Sequence, residues 1–262
     1  MTGRVGRVMM DWVSVVYLGT AGTVLGSFYN VVGLRVPEGI PFTGKERSRC
    51  PSCGHTLSAI ELVPVLSWVF QRGRCRHCQG WISLKYPLVE LSTGLLFVLS
   101  FIVFGWSLEL IVALLFVSML TIITVSDLAT MLIPDKILIA FGVPVLFLRL
   151  FVAPLDPWWL AIVGAMTGFG ILLLLAIASK GGMGGGDIKL YFVIGLVLGP
   201  AATVLSLFLA AFVGLIFGLP ARLSGKSKRG TPIPFGPFIA LGAVIAYFYG
   251  TELINWYTSF LL

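Results

Sequence analysis

The sequence predicts an all-α polytopic membrane protein of about eight transmembrane helices, interrupted once by a hydrophilic loop domain. Three observations carry this. Of 262 residues, 58% are hydrophobic and only 11% charged, against about 25% charged in a soluble domain. Mean hydropathy is +1.00, an apolar surplus that no soluble core absorbs and that must face lipid. Uncharged runs recur at the length needed to cross a bilayer, about 20 residues each.

The first run, Trp12–Leu34, is too long for a cleavable signal peptide, and no small-residue cleavage site follows it. It reads as a retained helix. The next spans are expected near Pro87–Phe104, Leu110–Ser126, Ile137–Phe151 and Pro157–Ser179. Leu190–Ala221 is uncharged over 32 residues, too long for one span. Gly199-Pro200 divides it, since proline cannot continue a helix's hydrogen bonds. Phe235–Tyr257 closes the series. The chain divides into the first helix (1–34), a hydrophilic module (35–86) and a polytopic remainder (87–262).

Eight alternating spans place the segments 35–86, 127–136, 180–189 and 222–230 on one side. They carry 15 of the 18 Lys and Arg residues. By the positive-inside rule that side is the cytoplasm. Arg4 and Arg7 run mildly against this, and the large loop outweighs them. Most basic residues thus serve topology. No basic face with interleaved aromatics appears, so nucleic acid is not an expected partner.

The module 35–86 holds all four cysteines and both histidines. Cys50-Pro-Ser-Cys53 is followed after 21 residues by Cys75-Arg-His-Cys78. Two C-x-x-C knuckles at this separation match a four-thiolate zinc site, because a two-residue gap lets both sulfurs of one turn reach one tetrahedral ion. Gly54 and Gln79-Gly80 follow where a knuckle turns tightly. Four cysteines also permit disulfides, which a cytoplasmic location disfavours. A site closed by four cysteines folds the loop and has no open position for chemistry. His55 and His77 are then bystanders.

The chain has 11 acidic residues. Asp11, Glu38, Glu46, Asp156 and Glu252 fall at loops or span ends, Glu109 on the outer side, Glu61 in the cysteine loop and Glu90 just inside the second span. Asp127, Asp135 and Asp187 remain, at the cytoplasmic ends of spans. Asp135 and Asp187 are read either as helix N-caps or as functional groups. Before Asp187, Gly184-Gly185-Gly186 leaves room for close backbone approach, and Lys189 follows. Acids at membrane depth are costly and usually functional. Two carboxylates sharing a site can act as general acid and base, and Asp127 and Asp187 fit such a pair if their spans meet.

Gly184-Gly185-Gly186-Asp187 is the G-x-G-D pattern of polytopic aspartyl proteases. Gly26-Ser27-Phe28-Tyr29-Asn30-Val31-Val32 before Arg35 resembles the entry of bacterial type IV prepilin peptidases, with Tyr29 where leucine is common. Cys50 through Trp68, Arg72-Gly73-Arg74-Cys75 and Tyr86-Pro87-Leu88-Val89-Glu90 resemble their cysteine domain. Asp127 through Ile133-Pro134-Asp135, Asp187-Ile-Lys189 and Pro234-Phe235-Gly236-Pro237-Phe238 resemble their catalytic half.

The resemblance implies cleavage of the basic leader of type IV prepilins or pseudopilins at the cytoplasmic face of a bacterial inner membrane. By motif position Asp127 and Asp187 would be catalytic, with Gly184, Gly186, Lys189 and Asp135 supporting substrate or loop. The full cysteine loop implies a second activity, N-methylation of the new terminus with S-adenosylmethionine, near that loop and the first two spans, with Glu90 a candidate there. The alternatives are a peptidase without methyl transfer, and a zinc-containing transporter or scaffold. A transporter would place acids mid-span in paired repeats, and no repeat is visible.

Overall fold

The computed structural model describes residues 12–42, 47–179, 184–223 and 234–261. Arg4, Arg7, Asp11, Lys45, Glu46, the loop residues 180–183 and the basic loop 224–229 lie outside the described residues. The elements are helices: α1 (Trp12–Arg35), α2 (Leu66–Phe70), α3 (Lys85–Phe104), α4 (Leu108–Thr130), α5 (Asp135–Phe147), α6 (Leu160–Ala178), α7 (Gly185–Leu223) and α8 (Gly236–Leu261). A 3-10 turn spans Ile60–Leu62, and a π-helical turn, Leu148–Val152, continues α5. The only extended pairing among the described residues is two isolated bridges, Arg49 with Thr56 and Arg74 with Trp81.

Six of these helices (α1, α3, α4, α6, α7 and α8) are long and apolar enough to cross a membrane. The sequence count of about eight differs at two places. α5 has 13 residues, short of a span without its π-helical continuation. α7 counts once, although Gly199, at φ 71° and ψ 174°, breaks its helical path where Gly199-Pro200 was expected to divide two spans.

The chain forms two compact units, one ending at Val125 within α4 and the other running from Ser126 to Leu262. In the first, α1 lies directly on α3. A Cβ on Gly22 would stand 2.8 Å from the Gly94 Cα, and one on Gly26 2.9 Å from the Glu90 Cα. Helices in lipid lack a hydrophobic drive to associate, and small residues let their backbones meet. Tyr29, at the position where leucine is common, is buried and donates to Ser118 Oγ at 2.7 Å, tying α1 to α4.

The second unit repeats the device. Gly164 and Gly168 of α6 face the backbone of Gly195 and Tyr191 on α7 with no room for a side chain. Gly242 of α8 would carry a Cβ 2.6 Å from the Ser206 carbonyl oxygen of α7. Arg149, in the π-helical turn, is 1% exposed. Its guanidinium donates to the carbonyls of Ala153 at 3.0 Å and Val197 at 2.9 Å. Val197 lies two residues before the Gly199 break. A buried cation is thereby matched to backbone oxygen.

Candidate active site and metal centre

The cysteine module folds as two copies of one turn. Cys50 N–H donates to the His55 carbonyl and Gly54 N–H to that of Cys50, both at 2.9 Å. Cys75 N–H donates to the Gly80 carbonyl and Gln79 N–H to that of Cys75, again at 2.9 Å. Gly54 and Gln79 hold matching positions with φ of 71° and 60°. The tight turns therefore fall where the sequence placed them, although the second is made by Gln79 itself. All four cysteines are free thiols, and their sulfurs lie within 4.8 Å of one another, so they can hold one metal ion. Backbone N–H groups of Cys53 and Ser52 bring the Cys50 thiol down to about 6, which favours the thiolate that a metal needs. His55 and His77 stack on each other at 5.0 Å and are not among the clustered ligands. Arg74 lies over the Trp81 ring at 4.7 Å.

In the second unit, α4 delivers Asp127 one turn before its end. Met131 closes that end with φ 56°, its N–H bonded to the Asp127 carbonyl at 2.9 Å, a left-handed helix stop. Ser126 Oγ donates to the Leu132 carbonyl at 2.5 Å and folds the following loop back. Asp127 is 6% exposed. Its Oδ2 accepts the Gly236 N–H at 2.7 Å. Asp187 stands in the first turn of α7, close enough to Asp127 for the two charges to act on each other. The two carboxylates that the sequence places at two span ends are thus within electrostatic range of each other.

The glycines around this pair differ in what demands them. A Cβ on Gly186 would stand 2.8 Å from Ile133 Cβ, and one on Gly236 2.8 Å from Asp127 Oδ2. A Cβ on Gly185 would meet nothing, and one on Gly184 would touch Asp187 Oδ2 at 3.4 Å. Close approach therefore explains Gly186 and not the whole glycine run. Only its motif marks Gly236 in the sequence. Pro237 beside it is the one available signal: a glycine at a helix start, where an N–H is left for an outside acceptor.

Asp135 is not an N-cap. Pro134 holds that position without a side-chain bond, and Asp135 is the first helical residue. Its carboxylate instead takes Lys189 Nζ at 2.9 and 2.7 Å. More than half of each side chain is exposed. The sequence had named both residues, but not as partners.

Glu90 lies in the first unit, 8% exposed. It accepts the Val65 N–H at 2.7 Å and a hydrogen bond from the Ser27 side chain. Val65 has φ 59° and ψ −53°, a costly conformation for a β-branched residue. Beside Glu90 is a cavity of about 260 Å³ between α1, the start of α3 and the cysteine module, lined among others by Asn30, Arg49, Cys50, Glu61 and Trp68.

No solved structure matches the chain. Residues 20–104 match the bacterial peptidase A24 N-terminal domain. Residues 114–219 match the type IV leader peptidase family. Three relatives carry the name prepilin leader peptidase/N-methyltransferase. That of Bacillus subtilis (strain 168) is 43% identical over 92% of this chain and 96% of its own length. That of Aeromonas salmonicida (strain A449) is 39% identical over 82% and 76%, and that of Stutzerimonas stutzeri 32% identical over 91% and 92%. With a paired-aspartate unit and a four-cysteine module each falling inside its matched segment, the chain belongs to the type IV leader peptidase family.

Proposed function

We propose that this membrane enzyme cleaves the leader of type IV prepilins or pseudopilins at the cytoplasmic face, then methylates the new N-terminus with S-adenosylmethionine. The observation that carries the first activity is that Asp127 and Asp187, at the ends of two long apolar helices, lie within electrostatic range of each other. One carboxylate takes a proton from water, whose oxygen attacks the scissile carbonyl carbon. The other, as the carboxylic acid, gives its proton to the carbonyl oxygen. The tetrahedral intermediate collapses as the amide nitrogen gains a proton and leaves as the amine. The Gly236 N–H fixes the Asp127 carboxylate for this exchange. Lys189 and Asp135 brace α7 against α5 beside it.

The module's ion is zinc. Tetrahedral zinc with Zn–S near 2.3 Å sets sulfurs about 3.8 Å apart, and Cys50 and Cys78 Sγ stand at 3.8 Å. Its role is to fold the loop. S-adenosylmethionine supplies an electrophilic methyl group: the N–C bond forms from the amine lone pair as the S–C bond breaks and its electrons return to sulfur, and the amine sheds a proton.

The test is a prepilin processed in membranes containing the enzyme. Asp127→Asn and Asp187→Asn each abolish leader cleavage. Full cleavage by either variant removes the dyad assignment. Mass spectrometry of the mature pilin reads the second activity as a gain of one methyl group, and an unmodified terminus with donor present removes it.

A further inference from the structure

We infer that α2 and the 3-10 turn before it lie on the surface of the bilayer, with Ile60, Val63, Leu66, Val69 and Phe70 among the lipid chains and the arginines that follow them at the headgroup phosphates. None of these five apolar side chains lines the cavity of the cysteine module.

The segment has two faces. Ser67, Trp68 and Gln71 line the cavity, and the Trp68 indole N–H donates to the Ile82 carbonyl at 3.1 Å. Leu66, Val69 and Phe70 stand at the i, i+3 and i+4 spacing that shares one helix face. All three are exposed, Phe70 by 79%. Ile60 and Val63 in the turn before are exposed too. Single exposed apolar residues are ordinary. A cluster of them along residues 60–70 is a patch of the kind that marks an interaction surface.

Height, charge and size make lipid the occupant. Val65 N–H donates to Glu90 Oε2 at 2.7 Å. Glu90 lies about 7.5 Å along α3 from Lys85, at roughly 1.5 Å per residue. Helical side chains lean toward the N-terminus, so α2 begins level with the first turns of α3. In those turns Leu88 and Leu91 are already exposed, as residues of a span facing lipid are. Residues 47–84 hold five arginines and one glutamate, and exposed Arg72, Arg74 and Arg76 follow α2 directly. The module stays positive even when its four thiolates hold a divalent ion, which leaves that centre net negative by two charges. Positive charge of this kind matches phospholipid headgroups, and apolar side chains beside arginines compose a segment that lies on a membrane. A protein interface takes about 20–30 residues a side, many more than this short segment offers.

The test uses the full-length protein in liposomes of phosphatidylcholine and phosphatidylglycerol that carry a diazirine on one acyl chain. After irradiation, mass spectrometry locates the lipid adducts. Adducts within residues 60–70, alongside those on α3, support the inference. Adducts on α1 and α3 with none in 60–70 overturn it. Phe70→Ser should cut the 60–70 adducts about tenfold, the factor that burial of one large apolar side chain supplies, while bound metal and the α3 adducts stay at wild-type values. Unchanged adducts in that variant also overturn the inference. For other occupants, Phe70→p-benzoylphenylalanine is irradiated in the same liposomes with prepilin present. Crosslinks to lipid support the inference, and crosslinks only to a second copy of the chain or to prepilin overturn it.

Discussion

At the scale of single residues, the glycines around Asp127 and Asp187 separate into those that packing demands and those it does not. Gly236→Ala would drive a methyl group into the Asp127 side chain, within 2.8–3.0 Å of its Oδ2, Cβ and Cγ. Misplacing a catalytic group by about 1 Å can cost roughly a hundredfold, so leader cleavage by this variant should fall by about that factor. Gly186→Ala should impair cleavage too, and a second change, Ile133→Ala, should restore part of it, because the clash is with Ile133 Cβ and contacting residues couple. Gly185→Ala meets open space and should cleave as wild type. Initial rates on one prepilin rank all four. Asp127 and Asp187 were legible in the sequence because an acid is rare and expensive in so apolar a chain. Gly236 was not, because it acquires its meaning from a partner 109 residues away. Asp135 was legible as important, but of its two readings the cap falls to Pro134, and its ion pair was hidden because the Lys189 partner is 54 residues on.

At the scale of elements, helices follow from apolar runs, and glycines set how closely they meet. Gly195→Val on α7 would force α6 away from a seam that has no room for a side chain. Overpacking of this kind costs about 1–3 kcal/mol, read as a lower midpoint in thermal unfolding of the detergent-solubilised enzyme. The exposed Lys189–Asp135 pair is a contrasting case. Ion pairs this open to solvent contribute about 0–1 kcal/mol, so Lys189→Met should leave that midpoint nearly unchanged. In the cysteine module, Cys75→Ser should abolish metal binding, measured by atomic emission, and open residues 47–84 to protease, because a structural metal site supplies its loop's folding energy. Spacing alone announced the knuckles. The π-helical turn and the strained Val65 had no sequence signal: side-chain bonds to backbone, from Arg149 and to Glu90, accompany them, and no periodic pattern does.

At the scale of the whole molecule, composition was enough to establish a polytopic helical protein, and charge placement supplied an orientation. That orientation makes its own prediction. A membrane-impermeant thiol reagent should label metal-free Cys53 or Cys78, both exposed, in inverted membrane vesicles and not in intact cells. Labelling from outside would reverse the topology. The span count was less legible. Hydropathy sees apolar length, and the broken α7 and the short α5 depend on where backbone turns, which hydropathy does not register.

Two chemistries in one chain set a rule for timing, because leader cleavage creates the amine that methylation consumes. Between the two steps a pilin exists as a leaderless, unmethylated intermediate. Added in excess, unlabelled intermediate reads whether it leaves the enzyme there, by the dilution of isotopic label passing from prepilin into methylated pilin.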